Sequence, residues 1–484
     1  MRRLNCAVQN YAWGKRGSQS KVAKLKMLEN EGFETDEDKT YAELWMGTHP
    51  NGPSRVMPEA GDFVEGAEEG HAGIFLIELL ETHPHYLGEL QEVGDLPFMF
   101  KVLSINKALS IQAHPDKKLA ERLYATRPDL YKDDNHKPEM AVALSDFEGL
   151  CGFRPFEEIV FNLHRYPELR GLVSLSAMRA MCSMPERYED RRDALRKLFH
   201  SYITAKPEIV ASQVNALVQR LGERAADDGG FASDGSIEHT DDEEIDLVDI
   251  YGPDYEEIDL INREKGESTL RRLRTEDYYV QDLMRRLSVE YPGDIGIMMP
   301  LLLNYLRMGE GESFFMAANE PHAYLKGDIM EVMARSDNVV RVALTPKHRD
   351  VPLLCEILTY NMGAPPIVQP IDVDSCCRRF TPPIEDFELD DMKVPDGQEY
   401  IPSAIPVPSI CMVLEGTGEA TDGARRTDLR PGVVVFLAAR TVATFRPIAG
   451  NSLRVVRTHT NVNIDNNGVN IDVDNGVVVE APFA

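Results

Sequence analysis

The chain is expected to be mainly β with an inserted α-helical domain, and three observations predict this. Short apolar runs bounded by Gly, Pro and Asn fill residues 1 to about 155 and return from Gly309. Between them, Phe156 to about Leu303 changes to a helical period. From Ile405 a second set of short strands follows at regular turn spacing, as in a jelly roll or barrel.

Composition limits the function classes. The 484 residues give room for two or three domains, each with its own core. A balance of 52 basic against 80 acidic residues, a net charge of −28, argues against nucleic acid or an anionic membrane as partner. Half of that excess lies between Asp227 and Asp259, where 14 acidic residues stand with no Lys or Arg. This insert, within 225–279, reads as a solvated loop, with an acidic partner-binding segment as the alternative. No apolar run approaches the roughly 18 residues that suggest a membrane span, and MRRLNCAVQNYAWG contains no signal-like apolar region. Seven cysteines without a C-x-x-C pair point to reduced thiols in a cytoplasmic protein.

Taken in order, Tyr11–Ser18 is a Gly-containing loop, either a surface turn or a flap over a site, and it carries Trp13. Tyr41–Ser54 joins a strand to a turn cluster that includes His49. Leu96–Ile105 has the continuous apolar character of a strand buried on both faces. In Leu109–Glu139, side chains two apart on a strand share a face, so Gln112 and His114 can aim at one point. Pro115 ends that strand, an amphipathic run with Leu119, Leu123 and Tyr124 follows, and a polar turn delivers His136-Lys137-Pro138-Glu139. Gln112, His114 and Glu139 together suggest three ligands of a divalent metal.

In the helical stretch, Arg191–Ile203, Glu208–Arg224 and Val280–Tyr291 each place apolar residues on one face. Gly309–Ser313 then turns into the strand Phe314–Ala318, and His322 stands at a strand end, where β scaffolds carry ligands. Ile405–Leu414, Pro431–Ala438 and Thr441–Phe445 are the later strands. Asn467-Gly468 and Asn475-Gly476 signal hairpin turns, and the Asn/Asp alternation around them reads as solvent-facing strand positions because it lacks the glycine pattern of calcium repeats.

The segments YAWGKRGSQS, YAELWMGTHPNGPS, FKVLSINKALSIQAHPDKKLAERL, NHKPEMAVAL, GLCGFRP, YPGDIG, PHAYLKGDIMEVMARSDNVVR and LTPKHRDVP resemble the type I phosphomannose isomerases, zinc-dependent cupin enzymes. The match runs from about Tyr11 to Val351 and is mainly architectural beyond Leu358. It implies two cupin-like jelly-roll domains plus a helical module: residues 1–155 with 309–358 as the catalytic zinc-binding domain, 156–308 as the helical domain, and 359–484 as a second β domain. It also implies one Zn²⁺ per chain on Gln112, His114, Glu139 and His322, and a cleft lined by Ser110, Lys137, Arg341 and Lys347, with Arg341 essential. Trp13, His49 and Tyr324, in the matching segments, are expected to meet the substrate. Two departures stand out: Val342-Ala343 replaces the family's usual Ala-Gly, and the acidic insert is long.

The implied reaction interconverts mannose 6-phosphate and fructose 6-phosphate. A ligand set with one formal negative charge leaves Zn²⁺ positive enough to favour an enediolate oxygen, which points to catalysis over structure. Arg341, Lys347 and Ser110 offer the phosphate a fork, a point charge and a hydroxyl, with the division between Arg341 and Lys347 open. Lys137 is placed for ring opening or orientation. Glu331, Asp337 and His49 are the candidate proton carriers, with Glu331 and Asp337 favoured because both lie between His322 and Arg341. No histidine occurs between Arg349 and Thr458, so the second β domain is expected to be metal-free. Isomerisation of another aldose phosphate and a non-catalytic sugar-phosphate binder are the competing readings, and a monomer is the expected state.

Overall fold

A computed structural model describes residues 1–30, 32–58, 73–227, 277–462, 471–472 and 477–478. The acidic insert from Asp227 to Asp259 and the turns at Asn467-Gly468 and Asn475-Gly476 lie essentially outside them. The chain combines helices with antiparallel sheets, the two largest of ten and eight strands.

The ten-stranded sheet is built around one long strand, His322–Ala334. Its first half pairs with Ile111–Ala113 and Phe147–Phe153, and its second half with Phe98–Ile105 and Glu139–Ala143. The exchange of partners falls at Gly327, whose φ of +118° is a glycine conformation. A Cβ there would lie 2.6 Å from the Asp146 carbonyl oxygen, so only glycine fits.

Alternation along these strands decides what each face does. Phe98, Phe100, Val102, Met140, Val142, Met330 and Val332 turn one way, into a core shared with Phe387 and with Phe380, Leu389, Ile410, Met412, Val434, Phe436 and Val456 of the eight-stranded sheet. The two sheets therefore bury one common apolar layer. Lys101, Glu139 and Glu331 occupy the alternate positions and face away from that core. All eight residues of Phe98–Ile105 are buried, as the continuous apolar run predicts.

The eight-stranded sheet includes the later strands Glu388–Val394, Ser409–Glu415, Val434–Leu437 and Leu453–His459. It also takes in Arg2–Asn5 and Arg55–Val56, which departs from the expected grouping of residues 1–155. Leu4 pairs with Val434 on one side and with Val56 on the other, so the first strand bridges the two halves of the molecule. In this sheet the His459 ring lies between carboxylates, 3.5 Å from both Glu388 and Asp390.

Helices Phe156–Arg165, Leu175–Cys182, Tyr188–Ile203 and Pro207–Asp227, with a further helix over 277–290, occupy the stretch read as helical. They are bracketed by strands Phe147–Phe153 and Leu303–Met308, which pair with each other. Leu195, Leu198, Phe199, Leu217, Leu221, Leu283 and Leu287 pack with Ile111, Ala113 and Leu325, so the helices cover the end of the sheet that carries the metal-ligand candidates. Of the amphipathic run after Pro115, Leu123 is buried and Tyr124 is exposed. All seven cysteines are free. No helix of the described residues is long and apolar enough to cross a membrane.

Candidate metal centre and active site

Three sequence-predicted ligands meet in space. Ligand atoms of His114, Glu139 and His322 lie within 4.8 Å of one another, and all three residues are about 1% exposed. His114 Nε2 is 3.4 Å from Glu139 Oε1, and His322 Nε2 is 3.2 Å from Glu139 Oε2. His114 follows the strand Ile111–Ala113, His322 opens the long strand, and Glu139 opens its own. Gln112 stands directly across the ladder from His322 on one side and Arg341 on the other. Directly opposed residues share a face, so register carries Gln112 and Arg341 to the cluster.

The other ring nitrogens are occupied by the main chain. His114 Nδ1 donates to the Asn338 carbonyl at 2.7 Å, and His322 Nδ1 donates to the Glu320 carbonyl at 3.0 Å. Such bonds fix tautomer and ring plane and leave Nε2 as a lone-pair donor. The Asn338 side-chain amide is itself held by Asp133 and by the Asn135 carbonyl. The amide of Asn319 donates to the His114 carbonyl at 2.7 Å, which ties the approach to His322 to His114.

The cluster's polar atoms fit a cation. His114 Nε2, His322 Nε2 and Glu139 Oε2 are buried without a hydrogen-bond partner, an arrangement costly unless an ion or water satisfies it. Burial pushes the His114 imidazole down to about 4, against the opposing pull of Glu139, so the ring is neutral. Burial pushes the Glu139 carboxyl up, but Lys137 and the two histidines more than offset this and hold it well below the usual carboxylate range. Two imidazoles and one carboxylate form a zinc-type donor set.

Beside the cluster runs a buried charged row in which the sequence marks Glu331 and Tyr324 but sequence reasoning missed Lys101 and Glu43. Register places Lys101 opposite Glu331 on one neighbour and opposite Trp45 on the other. Lys101 Nζ lies 2.9 Å from Glu331 Oε2 and 3.6 Å from Glu43 Oε2. Tyr324 donates its hydroxyl to Glu331 at 2.8 Å, and Trp45 donates its indole N–H to Glu43 at 2.5 Å. Burial alone would lower the Lys101 pKa, but Glu331 and Glu43 raise it, so the ammonium stays charged. Burial raises the Glu331 carboxyl, opposed by Lys101 and reinforced by Glu139 and Glu43. The signal was a single lysine within the apolar run FMFKVLSI, together with Glu43 beside Trp45.

The remaining predicted residues divide by position. Lys137 Nζ is 3.3 Å from Glu139 Oε1. His49 is buried and points Nε2 at Asp337 Oδ1, 3.2 Å away, while Asn51 approaches the other oxygen at 3.2 Å. His49 holds the Asp337 carboxyl below the usual carboxylate range despite partial burial. Arg341 is half-buried, and burial lowers its pKa; among the described residues no carboxylate pairs with it. Ser110 is partly buried, two residues before Gln112, and Lys347 is exposed beyond the strand Val340–Ala343. Trp13 stacks on Tyr11, packs against the apolar cluster containing Tyr324, and accepts two amide bonds from Asn106 and Lys107 through its carbonyl. Tyr324 is 3% exposed with its hydroxyl engaged by Glu331.

Comparison with known proteins gives the family. Residues 1–156 match the family profile "Phosphomannose isomerase type I, catalytic domain", and residues 380–423 match "Phosphomannose isomerase type I C-terminal". Mannose-6-phosphate isomerase 1 of Arabidopsis thaliana is 36% identical over 465 residues, covering 95% of this chain and 94% of that one. The Macaca fascicularis mannose-6-phosphate isomerase is 36% identical over 462 residues, covering 94% and 97%. Among solved structures, a variant of phosphomannose isomerase from Salmonella typhimurium superposes with a TM-score of 0.71 at 27% identity, covering 95% of this chain and 99% of that one. A mannose 6-phosphate isomerase bound with zinc and yttrium gives the same TM-score and identity, over 96% and 100%. On this full-length similarity the chain belongs to the type I phosphomannose isomerase family and is a mannose-6-phosphate isomerase.

Proposed function

We propose that the chain is a zinc-dependent aldose–ketose isomerase that interconverts mannose 6-phosphate and fructose 6-phosphate through a cis-enediolate, and that it supplies mannose 6-phosphate for GDP-mannose and glycosylation. The observation that carries the metal dependence is the set of three buried, unpartnered ligand atoms, two of them on rings whose other nitrogens are already fixed. Gln112, His114, Glu139 and His322 would hold one Zn²⁺, which when bound supplies Lewis-acid polarisation of the sugar oxygens. We read both large sheets as cupin-like jelly rolls. The catalytic unit is then 1–155 with 309–358, less the two strands lent to the C-terminal sheet, with 156–308 as the helical domain.

The chain's own groups divide the remaining work. Arg341, without a carboxylate partner among the described residues, is available to an anionic substrate, with Lys347 and Ser110 as further phosphate donors. Lys137 orients the sugar beside Glu139. Trp13 and His49 line the approach, and Tyr324 acts through Glu331. Of the two carboxylates favoured as proton carrier, Asp337 has a side chain 41% exposed and paired to His49, whereas Glu331 is 4% exposed and enclosed by Lys101 and Tyr324. A proton carrier must reach the substrate, which favours Asp337. Asp337→Asn should lower kcat about 10²-fold and suppress exchange of substrate hydrogen with solvent; exchange at the native rate would move the assignment to Glu331.

The substrate is tested by a coupled assay with mannose 6-phosphate and glucose 6-phosphate, before and after chelation and zinc return. Mannose 6-phosphate turnover should vanish on chelation and come back with zinc. Undiminished turnover without metal would sink the mechanism, and turnover of glucose 6-phosphate alone would sink the substrate.

A further inference from the structure

We infer that Asp386, contributed by the C-terminal half of the chain, is a positioning residue for the active-site segment that carries Lys137. Residues 127–138, between the helix Lys117–Thr126 and the strand Glu139–Ala143, form no regular secondary structure. The Leu130 and Tyr131 amides donate to the Arg127 carbonyl and the Ala334 amide donates to the Pro138 carbonyl, and between these points side-chain bonds hold the backbone. Its inner edge is held by the connection before Val340–Ala343. Asp133 accepts from the Ser336 hydroxyl and the Asp337 amide, both at 2.7 Å, and Asn135 Nδ2 donates to the Arg335 carbonyl at 3.0 Å. Its outer edge is held by His136, whose Nε2 lies 3.1 and 3.0 Å from the two oxygens of Asp386.

The far side of that contact is rigid. Phe387, next to Asp386, is fully buried in the core shared by the two sheets, and Glu388 opens a strand. Asn461 clamps the residues before Asp386, donating its side-chain amide to the Ile384 carbonyl at 3.1 Å and its backbone amide to the Glu385 carbonyl at 3.0 Å. Asp386 is thus a fixed point.

Only Lys137 and Pro138 lie between His136 and Glu139. Proline fixes its own φ and biases the residue before it toward an extended conformation. With His136 anchored on one side and Glu139 set in its strand on the other, two stiff residues have little freedom left. The Lys137 ammonium is then delivered to within 3.3 Å of Glu139 Oε1. The side chains of His136 and Asp386 are 27% and 16% exposed, so the pair itself adds little to global stability. Its effect should be on geometry, where an error on the order of 1 Å can cost about 10²-fold in rate.

This inference rests on the reading that Lys137 serves the substrate, and the test separates the two. The full chain with its metal is compared as native, Asp386→Ala, Asp386→Asn, Lys137→Ala and the double variant D386A/K137A, measuring kcat and KM for mannose 6-phosphate, bound zinc and unfolding midpoint. Asp386→Ala should lower kcat about tenfold or more, with KM changed less than about twofold and with zinc and midpoint unmoved. Asp386→Asn, which keeps an acceptor for the imidazole N–H, should recover most of the rate. In the K137A background the further loss from D386A should fall below about twofold, since the group being positioned is gone. The same loss in both backgrounds, or native kcat in D386A beside a damaged K137A, would overturn the role of Asp386 alone. A silent Lys137→Ala would remove both readings.

Discussion

His322→Ala is expected to empty the metal site while leaving the fold standing. The side chain presents one of three convergent ligand atoms, with Nε2 3.2 Å from Glu139 Oε2. Residues that merely support metal ligands cost about 10–100-fold in affinity when removed, so loss of a ligand should cost at least as much. After dialysis, elemental analysis should find on the order of a tenth of the native zinc or less. Activity should fall on the order of 10³-fold or more, since Lewis-acid stabilisation is worth several kcal/mol. The ring is not a keystone of packing, because its neighbours Ala323, Tyr324 and Leu325 anchor the strand in two apolar clusters. Native circular dichroism is the expected accompaniment. Full zinc retention would refute the ligand assignment.

Lys101→Met should damage both stability and rate. The lysine is the cation between two buried carboxylates, at 2.9 Å from Glu331 and 3.6 Å from Glu43. Methionine fills similar space but leaves those carboxylates facing each other without it. Removing one partner of a buried pair costs about 3–5 kcal/mol, and kcat should fall on the order of 10³-fold as the wall beside the cluster reorganises. The pH dependence has a definite sign. Glu331 already titrates above its ordinary value because of burial and its acidic neighbours, and losing Lys101 raises it further. A carboxyl raised on folding favours the folded state below its unfolded pKa and loses that contribution as pH rises through the folded pKa. The deficit of the variant should therefore be smallest in mildly acidic solution and grow toward neutral pH. A deficit independent of pH, by urea midpoint, would show that Glu331 escapes the loss by moving to solvent.

Much of the site was legible because its signals are local. Gln112 and His114 stand two apart beside a strand, Pro115 ends it, and Glu139 begins an apolar run, so type and spacing suffice. Helical periodicity gave Tyr188–Ile203 and Pro207–Asp227 nearly to their ends. What stayed hidden depends on partners remote in the chain. Lys101 reads as an interruption of a strand until register sets Glu331 across from it. The bond from the Tyr324 hydroxyl to Glu331 shows only once the chain is folded. Asp386 has no local mark at all, since its meaning lies in His136, which is 250 residues away.

The strand Arg2–Asn5 has a consequence for how the molecule is made. Its partner Val434–Leu437 pairs Leu4 with Val434, so one ladder joins segments that are remote from each other along the chain. Domains generally fold as units in the order they emerge, yet this sheet holds open a place that only Arg2–Asn5 fills. Until the late strands arrive, Arg2–Asn5 has unpaired backbone on that side, and closing so long a loop is slow because its entropy must be met before the contact forms. Completion of the eight-stranded sheet thus becomes a late event in biosynthesis. The shared layer beneath it, with Phe100 on one sheet and Phe436 on the other, seals only then.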